Sequence, residues 1–295
     1  MSNRTPLLRA NRWYVVAVAA AWTASAGCSA GPPQELRGPG PQKGQAFRIE
    51  TKTVLKNGKI VMSVAGQRLE GTCHVTITNV EDEEILDVEG RQVTKQQTTV
   101  ITDDATRSIE IAGEKDSSTE RGLLVGEKIL RQRKDGKWNN TLVGKEPTAK
   151  QKKELELLDP LENEDELYPE GKVAPGHTWK IDAARLRKFL GPYCTGLSGE
   201  ASMTFERTAT FDGESCALMN LTMNIKGKML DEDNNELNIE LIVKGPTYRS
   251  LKSGYDVKSS FSGTMKLTGT VVSDGQRVEM EMSGPATIET TTKLK

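Results

Sequence analysis

Ala201-Ser202-Met203-Thr204-Phe205-Glu206-Arg207-Thr208-Ala209-Thr210-Phe211, then Asp212-Gly213-Glu214, then Ser215-Cys216-Ala217-Leu218-Met219-Asn220-Leu221-Thr222-Met223-Asn224-Ile225, is the stretch that decides the fold. Ala201, Met203, Phe205, Arg207, Ala209 and Phe211 share one parity and polar side chains hold most of the other. A period of two belongs to a strand with one face buried. Asp212-Gly213-Glu214 reads as a turn, and Ala217, Met219, Leu221, Met223 and Ile225 form the inward row of the returning strand.

The same period runs outward in both directions. Downstream, Leu237, Ile239, Leu241 and Val243 alternate. Residues 257–271 follow, with Phe261, Met265 and Leu267 on one side and Lys258 and Lys266 on the other. Val278, Met280 and Met282 and then Ala286, Ile288, Thr290 and Leu294 complete the set. Upstream, Phe47, Ile49, Thr51 and Thr53 alternate, and Lys56-Asn57-Gly58-Lys59 reads as a hairpin turn into Ile60, Met62 and Val64. Cys73, Val75 and Ile77 form another inward row, which puts His74 on the opposite face. Further strands are expected over 93–101, 107–112 and 123–133, with Lys134-Asp135-Gly136-Lys137 turning the last into 138–143.

Two helices interrupt the meander. Thr148 and Gln151 make a capping box for a helix reaching about residue 158 and stopped by Pro160. Asp182 caps a second over 183–190, ended by Gly191-Pro192. Between them, 159–170 carries acids at 159, 162, 164, 165, 166 and 170 and reads as a solvated loop. The expected fold is mainly β: a strongly bent antiparallel sheet or incomplete barrel with two short helices over part of its concave face. A two-sheet β-sandwich is the alternative.

The first 27 residues have the form of an export signal: Arg4, Arg9 and Arg12 without an acid, an apolar run over 13–22, then Thr23-Ala24-Ser25-Ala26-Gly27. The apolar run is shorter than the roughly 20 residues of a transmembrane helix. Ser25-Ala26-Gly27-Cys28 resembles the lipobox of bacterial lipoproteins, departing from it at Ser25, where leucine is usual. That resemblance implies lipid on Cys28 and a membrane as partner; plain cleavage near Ala26 is the alternative, giving a secreted or periplasmic soluble form. Residues 28–45, rich in Gly and Pro, read as a tether. Residues 46–295 read as one β-rich domain in two halves, 46–145 and 171–295, joined by the first helix and the acidic loop.

Without the leader's arginines, 37 basic face 41 acidic side chains, which gives no nucleic-acid signal. Cys73, Cys194 and Cys216 remain after Cys28. An oxidising compartment lets a pair persist, with Cys194 and Cys216 as the candidate disulfide and three isolated thiols as the alternative.

Seven of nine methionines fall in the C-terminal half, and Met203, Met219, Met223, Met265, Met280 and Met282 all occupy inward rows. Methionine is flexible and polarizable, so such a face suits a lipid-like ligand, or else fills a core short of aromatics. The arrangement resembles the periplasmic lipoprotein carriers in architecture, which implies a lipid-like ligand within the bent sheet. Arg207, inward between Phe205 and Ala209, is a candidate for a ligand head group, or a strand-end arginine whose head reaches water. Leu167-Tyr168-Pro169-Glu170-Gly171-Lys172-Val173-Ala174-Pro175-Gly176-His177-Thr178-Trp179 resembles a pattern in exported β-rich bacterial proteins. There Gly176 permits a turn and Trp179 anchors it.

For catalysis, only His74 and His177 are available as histidines, and no nucleophile elbow, zinc motif or phosphate loop occurs. Asp231-Glu232-Asp233-Asn234-Asn235-Glu236 opens like a calcium loop, but Glu236 replaces the required glycine and Ile242 the bidentate glutamate, so a polar hairpin tip is expected. No metal or other cofactor and no catalytic residue is expected. The sequence therefore predicts a non-enzymatic envelope lipoprotein binding a hydrophobic ligand. An interaction module for another envelope protein is the first alternative, and a carboxylate-dependent hydrolase the second.

Overall fold

The computed structural model describes residues 31–64, 66–134, 137–158, 164–186, 194–230, 235–273 and 276–295. The export signal, Cys28, the Asp135-Gly136 turn, Gly191-Pro192 and Asp231 to Asn234 lie outside the described residues. The strands are β1 (Gln34–Glu35), β2 (Ala46–Val64), β3 (Gln67–Glu89), β4 (Gln92–Ile111), β5 (Glu114–Arg121), β6 (Lys128–Lys134) and β7 (Lys137–Leu142), followed by α1 (Ala149–Leu157). Then come β8 (Lys172–Val173), β9 (Thr178–Ile181), β10 (Cys194–Phe211), β11 (Glu214–Leu230), β12 (Glu236–Ser250), β13 (Asp256–Ser273) and β14 (Gln276–Leu294).

Twelve of these form one antiparallel sheet in the order β7-β6-β4-β3-β2-β14-β13-β12-β11-β10-β9, with β5 beside β4. The first and last strands of that order do not pair, so the sheet bends without closing into a barrel. The two expected halves are thus one sheet, joined where β14 pairs with β2 from Leu294 opposite Phe47 to Val278 opposite Val64. No helix among the described residues is long and apolar enough to cross a membrane.

The anticipated hairpin at Lys56-Asn57-Gly58-Lys59 does not exist. β2 runs straight through it with a bulge: Leu55 faces Val75 and Gly58 faces Cys73, so two residues of β2 stand against His74 alone. Asn57 takes the left-handed conformation, with φ 52°, that a bulge needs and that Asn tolerates. A second irregularity, between Ser283 and Ala286, lies against the first, and there a Cβ on Gly284 would stand 2.6 Å from the Gly58 Cα. Only glycines allow β2 and β14 to approach so closely. Likewise 93–101 and 107–112 are not two strands but parts of the single β4.

The first helix is as expected, with the reciprocal capping box of Thr148 and Gln151 formed. Of the second, the described part is a 3-10 turn over Ala183–Leu186, which Asp182 caps through the Ala184 N–H at 3.0 Å, and 187–190 lie outside the described residues. The acidic loop departs from its reading as fully solvated: Leu167 and Tyr168 are buried. Three acids in the adjoining turn do not prevent this, because the backbone turns over Glu164–Leu167 and aims the apolar side chains inward. The tether departs too. From Gln34 on it is docked, with β1 paired to β8 and Leu36 1% exposed.

The candidate ligand-binding face

Register lines up the core-facing side chains of successive strands. Ile225, Leu241 and Met265 are successive neighbours across β11, β12 and β13. Ile239, Leu267, Met282 and Ile60 continue across β12, β13, β14 and β2, and Met280 meets Met62, which meets Leu69 on β3. This face is the inner one, and it has two regimes.

Toward β10 and β11 it is sealed. Met203, Met219 and Met223 are at most 1% exposed and share a buried cluster with Phe205, Leu221 and Phe261. Leu36, Leu167, Tyr168, Val173 and Leu186 complete that cluster from outside the large sheet's long strands. Trp179 packs against it, and its indole N–H donates to the Leu167 carbonyl at 2.8 Å. The Gly176 N–H donates to the Phe205 carbonyl at 2.6 Å, so the 167–179 segment is a structural corner.

Toward β14, β2, β3 and β4 the same face stays partly open. Met265, Met280, Met282, Met62, Val75, Ile109 and Ile111 are half-buried, and Leu69 and Ile77 are 37% and 42% exposed. Met265 packs against the sealed cluster and also against the cluster of Leu55, Ile60, Cys73 and Ala286, so it links the two regimes.

A polar row crosses the face beside this apolar area. Thr247, Ser259, Thr290, Thr51, Asn79 and Asp103 are successive neighbours on six strands. Thr247 and Ser259 share a hydrogen bond of 3.1 Å, Thr51 and Thr290 one of 3.3 Å, and Asn79 donates to Glu81 at 3.2 Å. Desolvation pushes the carboxyl groups of Glu81 and Asp103 above their ordinary range. Asp103 adds to the effect at Glu81, whereas Arg131 opposes it; Glu154 on α1 and Asp104 add to the effect at Asp103. Sequence reading did not find this group, because its members come from different strands and leave no local spacing.

Arg207 does not face inward. A bulge sets Phe205 opposite Met219 but Arg207 opposite Leu218, so the alternation changes parity and the guanidinium is exposed on the outer face. Among the described residues the buried arginine is Arg249, 1% exposed. Its guanidinium stacks 3.8 Å from the centre of the Tyr168 ring and donates to Asp256 at 2.9 Å and to the Leu36 carbonyl at 2.5 Å. Tyr168 also donates to Asp256, at 2.7 Å. The signal was legible: the inward parity of Leu241 and Val243 continues through Thr247 to Arg249.

Cys194 and Cys216 are not brought together. In the β10–β11 hairpin Cys194 faces Met229 whereas Cys216 faces Ala209, so about 45 Å of strand separates them at ~3.3 Å per residue, where a disulfide needs Cα atoms within about 7 Å. All three, with Cys73, are buried, and desolvation raises the pKa of Cys73 and Cys216. His74 lies on the opposite face from Cys73, its Nε2 3.3 Å from the Thr76 hydroxyl. Among the described residues no group of His, Cys, Asp or Glu is placed to hold a metal ion.

No protein-family profile matches the chain, and no curated protein matches it. Among solved structures it is similar to a DUF1329 family protein from Desulfovibrio piger, at 10% identity over 85% of each chain with a TM-score of 0.11. It is also similar to a provisionally assigned AttH from Nitrosomonas europaea, at 10% identity over 83% of this chain and 92% of that one with a TM-score of 0.13.

Proposed function

We propose that this is an exported, non-enzymatic envelope protein, held to a membrane by lipid on Cys28, that binds an acyl-chain ligand on the open part of its inner face. The observation that carries the reading is the unsealed state of Met265, Met280 and Met282, of which Met280 is in register with Met62 and, through it, Leu69, beside Val75 and Ile77. A contiguous apolar area on the concave side of a sheet is covered in water either by the protein itself or by something it binds. Methionine adapts to chains of varied shape.

Native mass spectrometry of the chain purified gently from its own host, followed by organic extraction, tests this. A stoichiometric lipid-like adduct is expected. A clean protein mass that stays unchanged after incubation with envelope lipids would overturn it and direct the search to a protein partner. The same spectra test the anchor: a mature form starting at another residue, without diacylglycerol, would remove Cys28 from the account.

A carboxylate-dependent hydrolase is the second reading, favoured by Glu81 and Asp103, whose neutral forms burial favours beside the apolar area. It requires ester or glycoside hydrolysis that Asp103→Asn abolishes while the protein stays folded.

A further inference from the structure

The sealed end of the inner face owes part of its closure to a short piece of chain that precedes the sheet. Residues 34–38 lie across it as a strap. Two residue pairs join β1 to β8, Gln34 with Val173 and Glu35 with Lys172. Beyond them the strap is gripped mainly by its main chain. Arg249 donates to the Leu36 carbonyl, and Arg91 donates to the carbonyls of Arg37 and Gly38 at 3.2 and 3.0 Å. Arg37 returns a bond to the Tyr168 carbonyl at 3.0 Å and an ion pair to Glu170 at 2.8 Å. Gly38 sits against Gly254 so closely that a Cβ on it would stand 2.5 Å from the Gly254 Cα. One large side chain, Leu36, enters the cluster that holds Met203, Met219 and Met223.

We infer that the strap is an internal plug, with Leu36 occupying the end of the inner face that an acyl chain would otherwise enter from the Met265 side. The inference rests on the acyl-ligand reading above. Three features support it. The strap is a peptide bound through carbonyls and a single apolar anchor, the way a protein holds a segment it can release. Its two-pair ladder is far shorter than the ladders of β10 to β14, so it opens at lower cost than any long strand of the sheet. Met265 touches both the cluster under the strap and the open apolar area, so withdrawing Leu36 would lengthen that area rather than open a separate one.

The test measures binding of cis-parinaric acid to the whole chain alongside trypsin cleavage after Arg37. In the docked strap this bond is protected; the acid should speed its cleavage in a dose-dependent way. Leu36→Ser should tighten binding by about tenfold, because the closed form no longer competes. Arg37→Ala, which loosens the strap from Tyr168 and Glu170 without touching the core, should act in the same direction by a smaller factor and covers the case in which Leu36→Ser fails to fold. If the acid binds but neither the cleavage rate nor the affinities of the variants move, the strap is a fixed part of the core and the inference fails while the ligand reading stands. If no form of the chain binds the acid, both fail.

Discussion

Met219 and Met282 are the same residue type, in long antiparallel strands, on the same face of one sheet, yet Met219 is sealed and Met282 is half-open. The strands do not differ in kind. What differs is what lies over them: the strap, the 167–173 loop and the turn after Asp182 cover the end near β10, and among the described residues no comparable set covers the area between Met265 and Ile77. Strand alternation therefore specifies which side chains point inward, and the connecting segments specify which of them are closed off.

The largest effect that tests this contrast is at the latch of the sealed end. Arg249→Met should lower the unfolding free energy by about 3–5 kcal/mol in urea titrations, since Asp256 is left charged and mostly buried. A loss below about 1 kcal/mol would show that the strap and loop are held by something else. Next, Met219→Ala should cost about 2–5 kcal/mol through the cavity it leaves, whereas Met282→Ala should cost clearly less and instead weaken lipid binding. Equal costs at both positions would erase the distinction between the two ends.

A third measurement uses pH. Burial raises the carboxyl pKa of Asp103 and Glu81 in the folded protein, so the folded state holds their protons more tightly than the unfolded chain. Their contribution is therefore fully present below the unfolded carboxyl range and is lost as pH rises through the raised folded values. Asp103→Asn should consequently raise the melting temperature at neutral pH and flatten its pH dependence there.

Asp82 behaves oppositely. The fork from Arg48, with the Lys295 amine, holds its pKa at about 2, so its contribution is present above the unfolded carboxyl range and fades as pH falls through that range toward 2. Stability curves for wild type and Asp82→Asn should differ above about pH 4 and merge near pH 2. The smallest expected change is at the helix cap: Thr148→Ala should cost about 1 kcal/mol.

Much of the sheet was readable because alternation survives wherever strands are regular. The hairpin over 201–225, the inward rows of β12 to β14 and the capping box of α1 all follow from residue order alone. The bulges did not, because a bulge at Asn57-Gly58 and a two-residue hairpin turn use the same amino acids for the same reason, a backbone that must turn left-handed. At Arg207 one extra residue reversed the parity and exchanged a supposed core arginine for an exposed one. The latch was half-readable: Arg249 stood on a visible inward row, but Tyr168, Asp256 and Leu36 meet it only through the tertiary fold. The disulfide expectation failed on distance along the strand, which sequence separation across a hairpin does not convey.

The bulge between Phe205 and Arg207 has a consequence for how this protein can change. Because side chains alternate with period two, the bulge absorbs one residue: removing Glu206 would make Phe205 and Arg207 consecutive, and Arg207, Ala209 and Phe211 would stay on the outer face in the same register with β11. A one-codon deletion there should leave both faces as they are, whereas the same deletion in a regular stretch of β10 would exchange them. The bulge is thus a place where this strand can shed a residue without turning its side chains over.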